Sequence, residues 1–141
     1  MFFRRIFLAR IVGWCGVFAI GVLSLLPGDY RPHALPGDQS QWEHIIAYLL
    51  TGAALAAGYI RSNRRWLVAV SLTAYAVCLE IGQLWVPGRM SRMIDMAAGA
   101  LGSWTGTYLV IWATAICMGA RLRQPSERGR DTGFRDRNGN F

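Results

Sequence analysis

The sequence is short of charge, and lysine is missing from it altogether. Only 16% of the 141 residues are charged, against about a quarter in a typical soluble domain. All fifteen basic residues are arginine, and the formal net charge is +7. Because these arginines lie between or outside long apolar blocks, they indicate topology signals and contacts with anionic lipids. We therefore expect the lipid bilayer as a partner and no nucleic acid.

Cysteine pairs and familiar catalytic motifs are also absent. The three cysteines lie inside apolar blocks, with no CxxC or Cys/His metal spacing, so they are interpreted as small packing residues. The chain contains no HExxH motif, phosphate-binding loop, nucleophile elbow or dinucleotide fingerprint. From the sequence alone we assign no catalytic residue, and we expect no metal and no cofactor.

The apolar blocks predict an all-α integral membrane bundle of four transmembrane helices. The first block is compatible with a cleaved signal peptide, but it lacks a small-x-small cleavage site and is interpreted as an uncleaved helix. The second block has about 17 residues, near the short limit for crossing a hydrocarbon core. The blocks run approximately over Ile11 to Pro27, His44 to Ile60, Trp66 to Val86 and Ile94 to Ala120.

Residues 1–120 are predicted to form one transmembrane domain, and residues 121–141 a disordered, arginine-rich tail. Arginine placement predicts the orientation, since cytoplasmic segments carry the excess of positive charge. Both termini are therefore expected in the cytoplasm. The opposite side carries only Arg31, Arg89 and Arg92, offset by Asp29, Asp38 and Glu43. The cytoplasmic set comprises Arg4, Arg5, Arg10, Arg61, Arg64, Arg65, Arg121 and Arg123.

Small residues recur at four-residue spacing in two of the predicted helices. Such stripes let helix backbones approach closely inside a membrane, so they are predicted to be packing faces. The second helix offers Gly52 and Ala56, and the fourth offers Ala98, Gly102 and Gly106. These faces are expected to pack within the bundle or to bind another membrane protein.

A few polar residues are out of place in a simple membrane anchor, since charged groups are costly in hydrocarbon. By the predicted topology they all lie near the outer membrane face. Glu80 and Gln83 share a helix face through their i, i+3 spacing. The candidate polar site consists of His44, Tyr48, Glu80, Gln83, Arg89, Arg92 and Asp95.

The sequence leaves the role of these residues open. Glu80 either forms a structural ion pair with Arg89 or Arg92 or has a functional role. Asp95 suits the positive N-terminal end of a helix, while His44 and Tyr48 suit a membrane interface. Two chemical alternatives are an acid/base pair made by His44 with a carboxylate, and a divalent cation held by the same groups.

At these positions the chain resembles the VanZ-like family of small bacterial membrane proteins, over roughly Ser24 to Gly106. The matching elements are Ser24-Leu25-Leu26-Pro27, then Glu43-His44 with Ala47-Tyr48 and Gly52, then Glu80-Ile81-Gly82-Gln83, Val86-Pro87-Gly88-Arg89, Ser91-Arg92 and Asp95, and finally Gly102 and Gly106. The Glu-x-x-Gln, Arg, Asp, Gly order over one helix hairpin is the most specific of them.

The chain departs from the family pattern at two places. Ser40 and Gln41 stand where the family often has Asp-Lys, and Gly99 stands where it often has Asn. The loss of the amide puts a complete polar site in doubt.

The resemblance implies a multi-pass protein of the bacterial cytoplasmic (inner) membrane, associated with the cell envelope. The family is named for an accessory protein of glycopeptide resistance, so an effect on teicoplanin susceptibility is an expectation.

The leading functional hypothesis is a non-enzymatic factor that binds an amphiphilic or anionic ligand, such as a lipid-linked envelope component. Arg89 and Arg92 would meet the charged headgroup, and Glu80 and Asp95 would orient them. The alternatives are an intramembrane enzyme acting on lipid or peptidoglycan precursors, and a structural subunit that forms a homo-oligomer or joins another membrane protein.

Overall fold

The computed structural model describes residues 2–26, 40–86 and 92–122, and within these ranges the chain is all-helical. This confirms the predicted all-α class. Arg89, Ser91 and the predicted tail from residue 123 onward lie outside the described residues. The four helices are α1 (Phe2–Leu25), α2 (Ser40–Gly58), α3 (Trp66–Gln83) and α4 (Met93–Leu122).

Two helices begin earlier than the apolar blocks do. α1 begins at Phe2, so Arg4, Arg5 and Arg10 lie inside a helix and not ahead of one. Arginine is a good helix former, and its long stem packs along apolar surface while its charge stays in water. α2 begins at Ser40, which places Glu43 in its first turn, where the helix dipole favours an acidic side chain.

Three helices are long and apolar enough to cross a membrane, and these spans are Phe3–Leu25, Trp66–Gln83 and Met93–Ala120. α2, with its polar first turn and its many glycine and alanine residues, is not among them. Large apolar side chains cover the outer surface, and Phe18 is 73% and Trp112 67% exposed. Exposed apolar area on this scale is expected where lipid takes the place of water.

The helices run alternately up and down, which gives the bundle a basic end. There, Arg10 Nε donates a hydrogen bond of 2.8 Å to the Gly58 carbonyl at the end of α2. Arg65 Nη1 donates to Thr114 Oγ1 of α4, also over 2.8 Å. A cation at a helix C-terminus complements the helix dipole. We call this the basic end, and the opposite end, where α3 finishes and α4 starts, the acidic end.

The most extensive interface joins α2 and α4, and glycine makes it possible. Gly102 lies against the Ile45 carbonyl and Gly106 against the Leu49 carbonyl, so a Cβ atom on either would collide with the α2 backbone. In return, a Cβ on Gly52 would lie 2.9 Å from the Ser103 carbonyl oxygen. The remaining members of the two stripes are Ala56 and Ala98, which are 0% and 4% exposed. Gly52 of one stripe and Gly102 and Gly106 of the other therefore lie at the α2–α4 interface within the chain.

Hydroxyl groups connect α3 to α4 in the middle of the bundle. Trp104 Nε1 donates to Thr73 Oγ1 over 3.1 Å, and Thr73 Oγ1 also lies 3.4 Å from Ser103 Oγ. Hydrogen bonds of this kind between helices contribute about 1 kcal/mol in membranes. The interior therefore combines close backbone contact on one side of α4 with side-chain hydrogen bonds on the other.

A matched pair of glycines on α4 tests the close contact. Gly106→Ala is expected to lower the midpoint of thermal unfolding of the detergent-purified protein, because the added methyl forces α2 and α4 apart. Gly119→Ala is the control, since its Cβ would meet nothing within 4 Å. Alanine is the better helix former by about 1 kcal/mol, so the control should be neutral or slightly stabilising. Equal midpoints for the two variants would contradict the packing described.

Candidate functional site

The acidic end of the bundle contains a group of buried polar side chains. Tyr48 is 1%, Glu80 3%, Gln83 4% and Asp95 7% exposed, while Arg92 is half-buried. Buried carboxylates in an apolar bundle need partners, a proton or water. These positions coincide with those that stood out in the sequence.

Three of these residues converge on one point. His44 of α2, Glu80 of α3 and Asp95 of α4 each present a ligand atom, and these atoms all lie within 4.8 Å of one another. We call this group the His44–Glu80–Asp95 cluster. The three residues are 36 and 15 positions apart in sequence, so their convergence depends on the packing of three helices.

The connection from α3 to α4 is anchored to the cluster. The backbone N–H of Arg92 donates a hydrogen bond of 3.1 Å to Glu80 Oε2. One turn on, the Asp95 N–H donates to the Arg92 carbonyl over 3.0 Å. A charge-assisted bond from a backbone N–H orients a carboxylate, so the start of α4 and the Glu80 side chain are positioned together.

Tyr48 supports the cluster from within α2. Its ring stacks on that of His44, with centroids 6.4 Å apart and planes inclined by 15°. The other side of the ring packs on Gly99, where a Cβ would lie 3.2 Å from Tyr48 Cε2 and 3.1 Å from the Ala76 Cβ. The absence of a side chain at Gly99 is therefore what allows Tyr48 to lie between α2, α3 and α4.

The candidate site from the sequence is only partly assembled in this way. His44, Glu80 and Asp95 come together and Tyr48 supports them, while Gln83 is buried one turn beyond Glu80 on α3. The Arg92 main chain binds Glu80, and Arg89 lies outside the described residues. The described part thus brings two carboxylates and one imidazole together beside Arg92.

Chemically, the His44–Glu80–Asp95 cluster offers two capabilities. A carboxylate that accepts a hydrogen bond from imidazole orients it as a general base. An imidazole nitrogen with two carboxylates also forms a three-ligand set suited to a divalent metal ion with open coordination positions.

A second feature, which sequence reasoning missed, is a lateral cleft of about 460 Å³ between α1, α2 and α3. Its walls are apolar, with Trp14, Leu55 and Leu72 among them, and Arg64 and Arg65 lie at the basic end. The sequence indicated topology signals and contacts with anionic lipids for the arginines in general, but it did not single out these two. Their position beside an apolar cleft depends on where α1 packs, which no local pattern reveals.

Tyrosine hydroxyls bridge the cleft wall to α1. Tyr75 OH donates a 3.0 Å hydrogen bond to the Val17 carbonyl, and Trp14 Nε1 donates to Tyr59 OH over 3.4 Å. Tyr75 and Arg65 are ten residues apart, equivalent to about 15 Å along a helix. The cleft is therefore long enough to follow a lipid chain from the interface into the membrane.

No protein-family model matches the chain, and neither does any curated protein or solved structure. The resemblance to the VanZ-like family thus depends on the motif residues named above.

The contact at Gly99 gives a test of the departure from that family's pattern. Gly99→Asn, which introduces the amide found in many members, is expected to destabilise this protein, because the side chain meets Tyr48 and Ala76. A fall in the thermal midpoint, with Gly119→Asn close to wild type, is the expected result. If Gly99→Asn is as stable as the wild type, Tyr48 is not held against α4 as described.

Proposed function

We propose that the protein is a VanZ-like, multi-pass protein of the bacterial cytoplasmic membrane that binds an anionic phospholipid without catalysing a reaction on it. The observation that supports this proposal best is the lateral cleft, with an apolar wall and two arginines at its basic end. An effect on teicoplanin susceptibility belongs to the proposal through the family resemblance alone.

Charge decides which end of the bundle receives the headgroup. Among the described residues, the acidic end combines Glu43, Glu80 and Asp95 with one arginine, Arg92, so it lacks the excess of positive charge that attracts a phosphate. At the basic end, Arg64 is exposed and Arg65 is partly buried, so both charges lie near the membrane interface. Arginine binds phosphate through a planar fork of N–H donors. The headgroup contact is thus proposed at Arg64 and Arg65, in place of the Arg89 and Arg92 favoured by the sequence.

The apolar wall fits an acyl chain. Trp14, Val17, Leu55 and Leu72 line the cleft, and burying each CH₂ group is worth about 0.8 kcal/mol against water. Within a membrane that gain is largely cancelled, because lipid already surrounds the chain. Selectivity is therefore expected to come from the headgroup charge.

The lipid proposal is tested by native mass spectrometry of protein purified from mixed phosphatidylglycerol and phosphatidylcholine micelles. Wild type is expected to retain phosphatidylglycerol preferentially. The Arg64→Ala, Arg65→Ala double variant should lose at least about 1.4 kcal/mol of that preference, a tenfold change.

Two controls accompany this experiment. An Arg4→Ala, Arg61→Ala variant removes the same charge outside the cleft lining. Thr114→Val removes the hydrogen bond from Arg65, together with the bond that Thr114 Oγ1 donates to the Ile111 carbonyl of its own helix, and leaves both cleft arginines in place. Retention of both lipids equally by the wild type, or equal loss in the Arg4/Arg61 control, would show ordinary annular lipid and refute the proposal.

We also propose that α2 crosses the membrane as a fourth span, with both termini in the cytoplasm. Support comes from the alternating helix directions and from the arginines collected at the basic end. A helix with few strongly apolar residues is tolerated in the bilayer when its surface packs on other helices, and α2 lies between α1 and α4.

Single cysteines in a background without the native ones distinguish four spans from three. With four spans, Ser91→Cys reacts with an impermeant maleimide on spheroplasts and Ser62→Cys reacts only after permeabilisation. If α2 does not cross, the pattern is reversed, because residues 27–65 then remain outside and residues 87–92 lie inside. The two arrangements therefore give opposite results at both positions.

A second candidate function is supported by the His44–Glu80–Asp95 cluster, which has the composition of an acid/base site. An intramembrane enzyme acting on lipid or peptidoglycan precursors would use His44 as the base, oriented by one of the carboxylates. It requires turnover by the purified protein that disappears in a folded His44→Ala variant.

A role as an assembly subunit receives less support from the geometry. Gly52, Gly102 and Gly106 lie at the α2–α4 interface inside the chain, and Ala56 is fully buried. A homo-oligomer or another membrane partner would have to use a different surface.

A further inference from the structure

We propose that His44, Glu80 and Asp95 form a binding site for one divalent transition-metal ion, with Zn²⁺ as the representative ion. The ligands would be one imidazole nitrogen and one oxygen from each carboxylate. This inference is independent of the lipid cleft, which lies toward the other end of the bundle.

The spacing of the three groups fits a metal after a small adjustment. Their ligand atoms lie within 4.8 Å of one another. Ligands at about 2.1 Å in a tetrahedral zinc site are roughly 3.4 Å apart. Closing the difference requires each side chain to move by about 1 Å or less, which rotation about side-chain bonds provides.

The chemistry of the donors determines the class of ion. Imidazole suits zinc, iron, copper and nickel, whereas carboxylates alone suit magnesium and calcium. Three protein ligands leave a fourth position open for water or a substrate oxygen, as in catalytic zinc sites and unlike closed structural ones. A mixed His/carboxylate set in an apolar bundle therefore favours a first-row transition ion over Mg²⁺.

The contacts around the ligands also suit a metal site. The Arg92 N–H donates a hydrogen bond to Glu80 Oε2 and so orients the carboxylate group. The Tyr48 ring stacks on His44 and restricts its orientation. Partners of this kind, which hold ligands in position, are typical of metal sites and commonly contribute 10–100-fold to affinity.

No local ligand spacing marks the cluster in the sequence, because its ligands come from three helices. For the same reason the expectation of no metal, which was drawn from the lack of a local ligand spacing, does not bear on this site. The competing interpretation is a polar network in which hydrogen bonds and ion pairs hold the three side chains together without a metal ion.

The test is Zn²⁺ titration of the full-length, chelator-treated protein in detergent, in buffer containing millimolar Mg²⁺. Calorimetry is expected to give one Zn²⁺ per chain. Co²⁺ in place of Zn²⁺ should produce visible absorption bands that Zn²⁺ abolishes. Saturating Zn²⁺ should raise the thermal midpoint, since an ion that binds only the folded state stabilises it.

Substitutions test whether the residues of the His44–Glu80–Asp95 cluster are the ones that bind Zn²⁺. His44→Ala and Asp95→Asn are expected to weaken Zn²⁺ binding at least tenfold and to remove the Co²⁺ bands. Glu43→Gln is the matched control, because it removes an acidic group next to His44 that is not part of the cluster. It should bind Zn²⁺ as the wild type does.

Two results would overturn the metal site. One is a wild-type protein that takes up no stoichiometric Zn²⁺ and shows no Co²⁺ bands, which would show that the cluster is a polar network without a metal ion. The other is Zn²⁺ binding that survives in folded His44→Ala and Asp95→Asn. The Zn²⁺ stoichiometry and the Co²⁺ absorption bands are measured on the wild-type protein. They therefore test the metal site even if a substitution prevents folding.

Discussion

The close approach of α2 and α4 is the constraint on which the rest of the arrangement depends. Backbone carbonyls of α2 at Ile45 and Leu49 lie where side chains of α4 would otherwise be, and Gly102 and Gly106 make that approach feasible. Ile45 and Leu49 directly follow His44 and Tyr48 in the chain. The contact that fixes the helix separation therefore also fixes where the imidazole and the tyrosine ring lie.

The polar side chains at the acidic end are positioned by α2 and α4, the two helices that this close contact holds together. Gly99, one turn before the glycine contacts of α4, leaves room for Tyr48, and Tyr48 stacks on His44. Asp95 lies one further turn toward the start of α4 and meets the same imidazole. Three successive turns of α4 thus carry the Asp95 carboxylate, the space at Gly99 for the tyrosine ring, and the contact of Gly102 with the α2 backbone.

Burying Glu80 and Asp95 removes their carboxylates from water, and lipid cannot replace the hydrogen bonds that are lost. In hydrocarbon an isolated carboxylate costs several kcal/mol after relaxation. The Arg92 N–H supplies part of the compensation at Glu80, and the His44 imidazole lies within reach of both carboxylates. Since two nearby carboxylates repel each other, a metal ion bound between them would further stabilise the cluster.

Much of the fold could be predicted from hydropathy alone, because long apolar blocks and arginine-rich breaks are local signals. The unusual polar residues were equally visible, since Glu80 and Asp95 interrupt apolar sequence. What could not be predicted is which of them meet. For Glu80 the sequence left two roles open, a structural ion pair with Arg89 or Arg92 and a functional role. The structure adds His44, Asp95 and the Arg92 main chain as its neighbours. Contacts between helices depend on rotation about each helix axis, and a weakly amphipathic membrane helix does not specify that rotation.

The lateral cleft illustrates the same limit at the other end of the bundle. Arg64 and Arg65 fit a topology signal, and nothing in the local sequence separates that role from lipid binding. The distinction arises from α1, whose Trp14 and Val17 form the opposite wall and bond to Tyr59 and Tyr75. A first helix that served only as an anchor would not need to share such bonds with α2 and α3. Because α1 completes the cleft, an anionic lipid bound there would contact α1, α2 and α3. Such a lipid would stabilise the side of the bundle on which the direct interface between α1 and α3 is small.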